Sequence, residues 1–148
     1  MHTPDAHLVA HLNALAQALG LNALTLDAEG LRSLSIGNEL TVHIQSDTAT
    51  QELVLFAEVG MLPSASDTAM LTLLLRANRF WRGTGGATLS LDEQSPPGLV
   101  LARRISCAAT TPAQFVAQFE SFADHLADWS ARLNAPPQAI GTMPHQFA

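Results

Sequence analysis

The 148 residues are the size of one domain and suffice to bury a core without a metal or a disulfide to staple it. Thirteen acidic residues against seven Arg and no Lys give a net charge of −6, whereas a phosphate backbone rewards an excess of clustered positive charge, so nucleic acid is a poor partner. Charged residues form only 14% of the chain and apolar ones 47%, fewer solubilising groups than a small monomer ordinarily carries, so exposed apolar surface is expected.

The start, Met1-His2-Thr3-Pro4-Asp5, has no basic region ahead of an apolar run, and no window approaches 18 uninterrupted apolar residues; the chain reads as neither secreted through a cleaved signal nor inserted in a membrane. Thr3 predicts the cap of a first helix with Pro4 and Asp5 in its first turn. Leu8, Leu12, Leu15 and Leu19 mark one stripe of that helix, and Gly20 ends it. From Leu24 to Leu62 the period becomes two: Leu24 and Leu26, then Leu34 and Ile36, then Leu40, Val42 and Ile44, then Leu53, Leu55, Ala57 and Val59. Turn residues at Asp27-Ala28-Glu29-Gly30, Gly37-Asn38 and Ser46-Asp47-Thr48 make this an antiparallel meander. Val54 and Phe56 leave its last strand apolar on both faces, which predicts a central strand or one covered on its second side.

Ser66 or Asp67 caps the next helix, predicted to run to Trp81. Its apolar residues span an arc of roughly 220°, about twice the stripe that docks on one core, with Thr68, Thr72, Arg76 and Arg79 as its polar side. Either two layers of one domain enclose this helix, or one face covers its own core and the other meets another chain. Gly83-Thr84-Gly85-Gly86 supplies a sharp exit; it lacks the preceding strand, following helix and Lys of a phosphate cradle. Ala87, Leu89 and Leu91 then alternate, Asp92 to Gly98 form a Pro-containing loop, and Leu99 to Ile105 returns as the paired strand. Five of the seven Arg lie between Arg76 and Arg104.

Cys107, the single cysteine, permits no intramolecular disulfide and fits a reducing, cytoplasmic location; its expected role is packing. Thr111-Pro112-Ala113-Gln114 has the form of a capping box. Phe115, Phe119, Phe122, Leu126, Trp129 and Leu133 follow at spacings of 4, 3, 4, 3 and 4, the strongest periodic signal in the chain. Residues 1–134 therefore read as one domain and 135–148, with three prolines and no periodicity, as a flexible tail. The order helix, strands, helix, two strands, helix predicts an α+β fold with helices packed on a twisted, mainly antiparallel sheet.

Candidate chemistry is sparse. His7 and His11 stand four apart on the first helix, but no third ligand follows at metal spacing; they are expected to be partly exposed beside the leucine stripe, with His125 similar on the last helix. Asp5 and Asp124 lie near histidines without a nucleophile or pocket to serve. Glu39, Glu52 and Glu58 are scattered and read as solvated. Trp81 and Trp129 fall in apolar helical phases, as core or interface residues do. The expectation is a protein with no cofactor, no metal and no enzymatic activity.

Leu74-Leu75-Arg76-Ala77-Asn78-Arg79-Phe80-Trp81, the glycine turn into Ala87-Thr88-Leu89-Ser90-Leu91-Asp92, and Leu99-Val100-Leu101-Ala102-Arg103-Arg104 together resemble the middle helix and last hairpin of the Tir-chaperone (CesT-like) family of type III secretion chaperones. The resemblance covers residues from Leu8 to Leu133. It implies a cytoplasmic homodimer that binds the non-globular amino-terminal segment of a secreted effector and keeps it soluble and export-competent. It also implies dimer contacts from Leu71, Leu74, Leu75, Asn78 and Leu89. Effector contacts would come from the first helix and exposed sheet, at Leu8, Leu12, Leu15, Val42, Ile44 and Leu55. Two alternatives stay open: a regulatory protein-interaction domain of the same fold, and a small-molecule-binding domain or enzyme that uses the apolar interior.

Overall fold

The 4-3 spacing of six large apolar side chains produces one long helix, Pro112–Leu133, and all six are buried. Its start is the predicted capping box: the Thr111 hydroxyl accepts from the Gln114 N–H at 3.1 Å, and the Gln114 side chain accepts from the Thr111 N–H at 2.9 Å. In a computed structural model that describes residues 5–37, 39–62 and 68–134, this helix (α3) lies across a five-stranded antiparallel sheet. The other elements are α1 (Ala6–Leu19), β1 (Leu31–Ile36), β2 (Leu40–Asp47), β3 (Glu52–Met61), α2 (Thr68–Asn78), β4 (Thr88–Leu91) and β5 (Gly98–Ser106). The strand order is β1-β2-β3-β5-β4, so β3 is central, the first of the two alternatives that Val54 and Phe56 on its second face left open.

Alternation sorts the strands into two faces. Val42, Ile44, Leu53, Leu55, Ala57, Leu99, Leu101 and Ile105 turn toward the helices and form one core with Leu12 and Leu15 of α1 and the aromatic row of α3. The predicted α+β architecture is the observed one.

Four local expectations change. Leu24 and Leu26 do not form a strand: Asp27 organises a turn there, its carboxylate accepting from the N–H of Glu29 at 2.9 Å and of Leu31 at 3.0 Å, while Leu24 plugs the core and Leu26 packs half-buried against it. Two leucines around one threonine imitate a strand without being long enough to pair. The cap of α1 is Asp5, whose carboxylate accepts from the His7 N–H at 3.0 Å. His11 is a core residue, 1% exposed, stacked on Phe115 with ring centroids 5.3 Å apart; its Nε2 donates to the Cys107 carbonyl at 2.9 Å. His7 stays on the surface, so the two histidines do not converge. Finally, α2 stops at Asn78, three residues before Trp81. The expected caps Thr3 and Ser66 or Asp67, and the tail 135–148, lie outside the described residues.

Candidate functional site

Besides Val9, Leu19 and Leu21 around α1, Met61 and Leu91, two surfaces of the described residues gather apolar groups outside the core. The first is the outer side of α2 and the turn that follows it. Met70 and Leu74 enter the core and Leu71, Leu73 and Ala77 lie half-buried against it, whereas Leu75 is 72% exposed. Beyond Asn78 the chain makes a 3-10 turn in which Phe80 and Trp81 adopt left-handed backbone, φ 53° and 56°, at a cost of about 1–3 kcal/mol each. Their rings are left outside, Phe80 66% and Trp81 55% exposed. The guanidinium groups of Arg79 and Arg82 lie 5.4 and 5.9 Å from the centre of the Phe80 ring.

The rest of the loop holds that turn in place. The Gly83 N–H donates to the Ala77 carbonyl at 3.0 Å, and a Cβ on Gly83 would stand 2.8 Å from Ala77 Cα, so only glycine fits beneath the helix end. Trp129 of α3 donates from Nε1 to the Gly83 carbonyl at 3.0 Å, and Arg103 of β5 donates to the Gly85 carbonyl at 2.7 Å. The buried Thr84 hydroxyl donates to the Ala87 carbonyl. With the Gly86 N–H donated to the Trp81 carbonyl at 3.2 Å and the Ala87 N–H to the Thr84 carbonyl at 3.2 Å, the glycines form a clamped turn.

The second surface is the sheet face turned away from the core. In register across all five strands run Ser33, His43, Phe56, Ala102 and Thr88, with Gln45, Val54 and Arg104 in the neighbouring row. The His43 and Phe56 rings stack at 4.9 Å, and the Ser33 hydroxyl lies 2.7 Å from His43 Nδ1. Val54, Phe56, Val100 and Ala102 are half-buried, whereas the helix-facing apolar residues Leu53, Leu55, Ala57, Leu99, Leu101 and Ile105 of the same strands are enclosed. At the margin Arg104 pairs with Glu52 and holds that carboxyl below the usual carboxylate range.

Of the residues implied as dimer contacts, Leu75 and Leu71 have surface to offer. Leu74 and Leu89 are core residues, and the Asn78 carboxamide is engaged with the Leu89 backbone. Of those implied as effector contacts, Leu8 is half-buried, but Leu12, Leu15, Val42, Ile44 and Leu55 are buried. Their burial has a simple cause: the strongest apolar phase of an element is the one its own core takes. The surface belongs to the weaker phase beside it, Thr41, His43, Val54 and Phe56, and on α1 to Val9 and Leu19. The polar alternation of β2 already marked that phase.

Chemistry is as sparse in three dimensions. An open depression of about 420 Å³ at the end of β2 and β3 is lined by Glu39, His43, Glu58 and Asn134 among others. No three His, Cys, Asp or Glu among the described residues are placed to hold a metal ion. Cys107 is enclosed, and burial pushes its thiol above the usual range, away from nucleophilic use at neutral pH. Among the described residues no helix is long and apolar enough to cross a membrane.

Comparison with known proteins agrees with this architecture. The sequence model of the Tir chaperone protein (CesT) family matches residues 10–130. A Chlamydia pneumoniae protein is 38% identical over 118 residues, which are 79% of this chain and 88% of that protein. A chain of the ExsC–ExsE complex is similar in structure with a TM-score of 0.71 at 25% identity, covering 85% of this chain and 92% of that one. The Yersinia pestis type III secretion chaperone SycH, solved with a stable fragment of YscM2, shares the fold with a TM-score of 0.65 at 24% identity, covering 82% of this chain and 98% of that one.

Proposed function

This chain belongs to the Tir chaperone protein (CesT) family, and we propose that it is a cytoplasmic type III secretion chaperone that acts as a homodimer. In this reading it binds the non-globular amino-terminal segment of a secreted effector and keeps it soluble and export-competent, without covalent chemistry or a cofactor. The observation that carries the reading is the presence of two separate apolar surfaces on one small acidic chain. The α2 side, with Leu75 and Leu71, is suited to a twin. The open sheet face, with Val54, Phe56, Val100 and Ala102, is suited to an extended segment.

Edge chemistry supports the same division. The Asn78 carboxamide occupies both backbone groups of Leu89 on β4, so an added strand finds its free edge at β1. Main-chain pairing there tolerates varied sequences, while the side chains of the open face choose among them.

Co-expression with the amino-terminal segments of secreted proteins encoded nearby tests the reading. The expected product is a soluble complex of two chaperones per segment. A folded chain that retains none of the segments would overturn it. Capture of a transcription factor or a secretion-machine subunit instead would favour a regulatory domain. A metabolite retained through native mass spectrometry would favour a small-molecule site.

A further inference from the structure

Three arginines in the middle of this acidic chain, Arg76, Arg79 and Arg82, form no ion pair with a carboxylate among the described residues. Residues 68–91 contain Arg76, Arg79 and Arg82 and no Asp or Glu. Among the described residues the ion pairs are made elsewhere, by Arg104 with Glu52 and Arg132 with Asp128. Arg79 and Arg82 lie against the Phe80 ring, Trp81 stands exposed next in the chain, and Leu75 projects one helical turn before Arg79. Positive charge and uncovered aromatic surface thus coincide on one turn, whose backbone is held in a conformation that bulky side chains rarely adopt.

We infer that the Arg79-Phe80-Trp81-Arg82 turn is a docking site for an extended acidic segment of a partner protein in which carboxylates alternate with apolar side chains. A guanidinium lying on a ring keeps its N–H edge free, and that edge matches a carboxylate bidentately. The rings supply what charge alone lacks, apolar area to be covered between the carboxylates. A second copy of this chain is the poorer occupant. A twofold axis at the turn would set three arginines against three arginines, with no acidic residue in 68–91 to separate them. The twin contact proposed above is centred earlier in α2, on Leu71 and Leu75. An anionic membrane is poorer too, because lipid recognition uses clusters of about four to eight basic residues and the rest of this chain is strongly acidic. The site is distinct from the open sheet face, and its chemistry does not depend on whether the segment's parent is secreted.

Trp81 is its own reporter, since Trp129 is buried and reads the fold instead. The full-length protein is titrated with a short synthetic peptide in which Leu and Phe alternate with Glu, and with the same peptide carrying Lys in place of Glu. The Glu peptide should shift Trp81 emission, and Trp81→Phe should abolish the shift. Arg79→Glu with Arg82→Glu should weaken binding roughly tenfold. Salt raised from about 0.1 to 1 M should weaken it progressively as the Debye length falls from about 10 to 3 Å. Phe80→Ala should weaken it with the charge unchanged, and unaltered Trp129 emission certifies each variant as folded. Equal binding of the two peptides, or binding that the charge reversals leave intact, would overturn the site. Dissociation of a dimer by the reversals would assign the turn to a second copy, and sedimentation with phosphatidylserine vesicles would assign it to a membrane. Effector capture is read on other residues, so failure here leaves that reading standing.

Discussion

The Asn78 carboxamide seals the outer edge of Leu89: its Nδ2 donates to the Leu89 carbonyl and its Oδ1 accepts from the Leu89 N–H, both at 2.8 Å. A side chain at the end of α2 thus does for β4 what a sixth strand would do, satisfying a peptide that an edge strand otherwise leaves unpaired. The contact also fixes the angle at which α2 leaves the sheet, and so the direction of Leu75.

Asn78→Ala removes both bonds and leaves two half-buried backbone groups without partners. At about 1 kcal/mol net per bond, stability should fall by roughly 2 kcal/mol. Asn78→Asp retains the acceptor but sets a carboxylate against the Leu89 carbonyl, and should be no better. Urea unfolding measures the loss. Concentration-dependent association of the Ala variant would show the released edge pairing with another chain.

Gly85 and Gly20 share left-handed backbone, φ 63° and 72°, but differ in surroundings. A Cβ on Gly85 would run into the His125 ring, whereas one on Gly20 meets nothing within 4 Å. Gly20→Ala should cost about 1 kcal/mol, the strain alone. Gly85→Ala should cost more, roughly 2–4 kcal/mol, and His125→Ala should recover part of the difference in a double-mutant cycle. Equal losses at the two positions would show that the clamp against α3 contributes nothing.

Local pattern carries far when the deciding contacts are local, and fails where they are not. The α3 start was readable because Thr111 and Gln114 cap each other three residues apart, whereas Val54 and Phe56, by breaking the usual alternation, marked β3 as central or covered without deciding which. The burial of His11 depends on a carbonyl 96 positions away, at Cys107, which no helical phase reveals. Phe80 and Trp81 keep the helical phase of α2 after the helix has ended, because period alone does not register a left-handed turn. The candidate surfaces show the same division. Apolar phases locate faces that can be buried, but the chain's own core claims the strongest of them. This is why Val42, Ile44 and Leu55 lie inside and the surface falls to His43, Val54 and Phe56.

Cys107 gives the fold an alkaline limit. Burial, with the charges of Asp5 and Glu52 adding to it, raises the folded thiol above its usual range, so the folded chain keeps a proton that the unfolded chain releases. A raised folded value means the contribution is complete below the unfolded thiol pKa and is lost as pH rises through the folded one. Urea midpoints should therefore decline between about pH 8 and 10. The decline should be smaller in Cys107→Ala, once that variant's pH-independent packing loss is subtracted. Alkylation of the native thiol should be slow throughout that range.

Phe56 tests the open sheet face. It stacks on His43 at the centre of the row that crosses all five strands, so Phe56→Ala removes the largest apolar group there while leaving the core beneath intact. Affinity for a bound effector segment should fall by about 2 kcal/mol, the scale of a buried aromatic anchor. Stability should fall by only about 0.5–1.5 kcal/mol for the lost stacking. Leu55→Ala, one residue away but enclosed in the core, should do the opposite, unfolding the domain far more than it weakens binding. Isothermal titration alongside urea unfolding separates the two.

Leu75→Arg separates assembly from folding. Because Leu75 is 72% exposed in the single chain, the substitution meets no core contact and should leave urea stability, extrapolated to the monomer, within about 0.5 kcal/mol. In a homodimer that closes over this face the same arginine is buried unpaired, twice about the twofold axis, and each copy adds several kcal/mol of desolvation. The mass by light scattering should drop from twice 15.7 kDa to 15.7 kDa. Leu71→Arg, half-buried against the core, should also dissociate the dimer but with a loss of monomer stability that Leu75→Arg does not show. If the Leu75→Arg protein keeps the doubled mass, the twin is held by another surface. The exposed leucine would then belong, with Trp81 and Phe80, to the acidic-segment site.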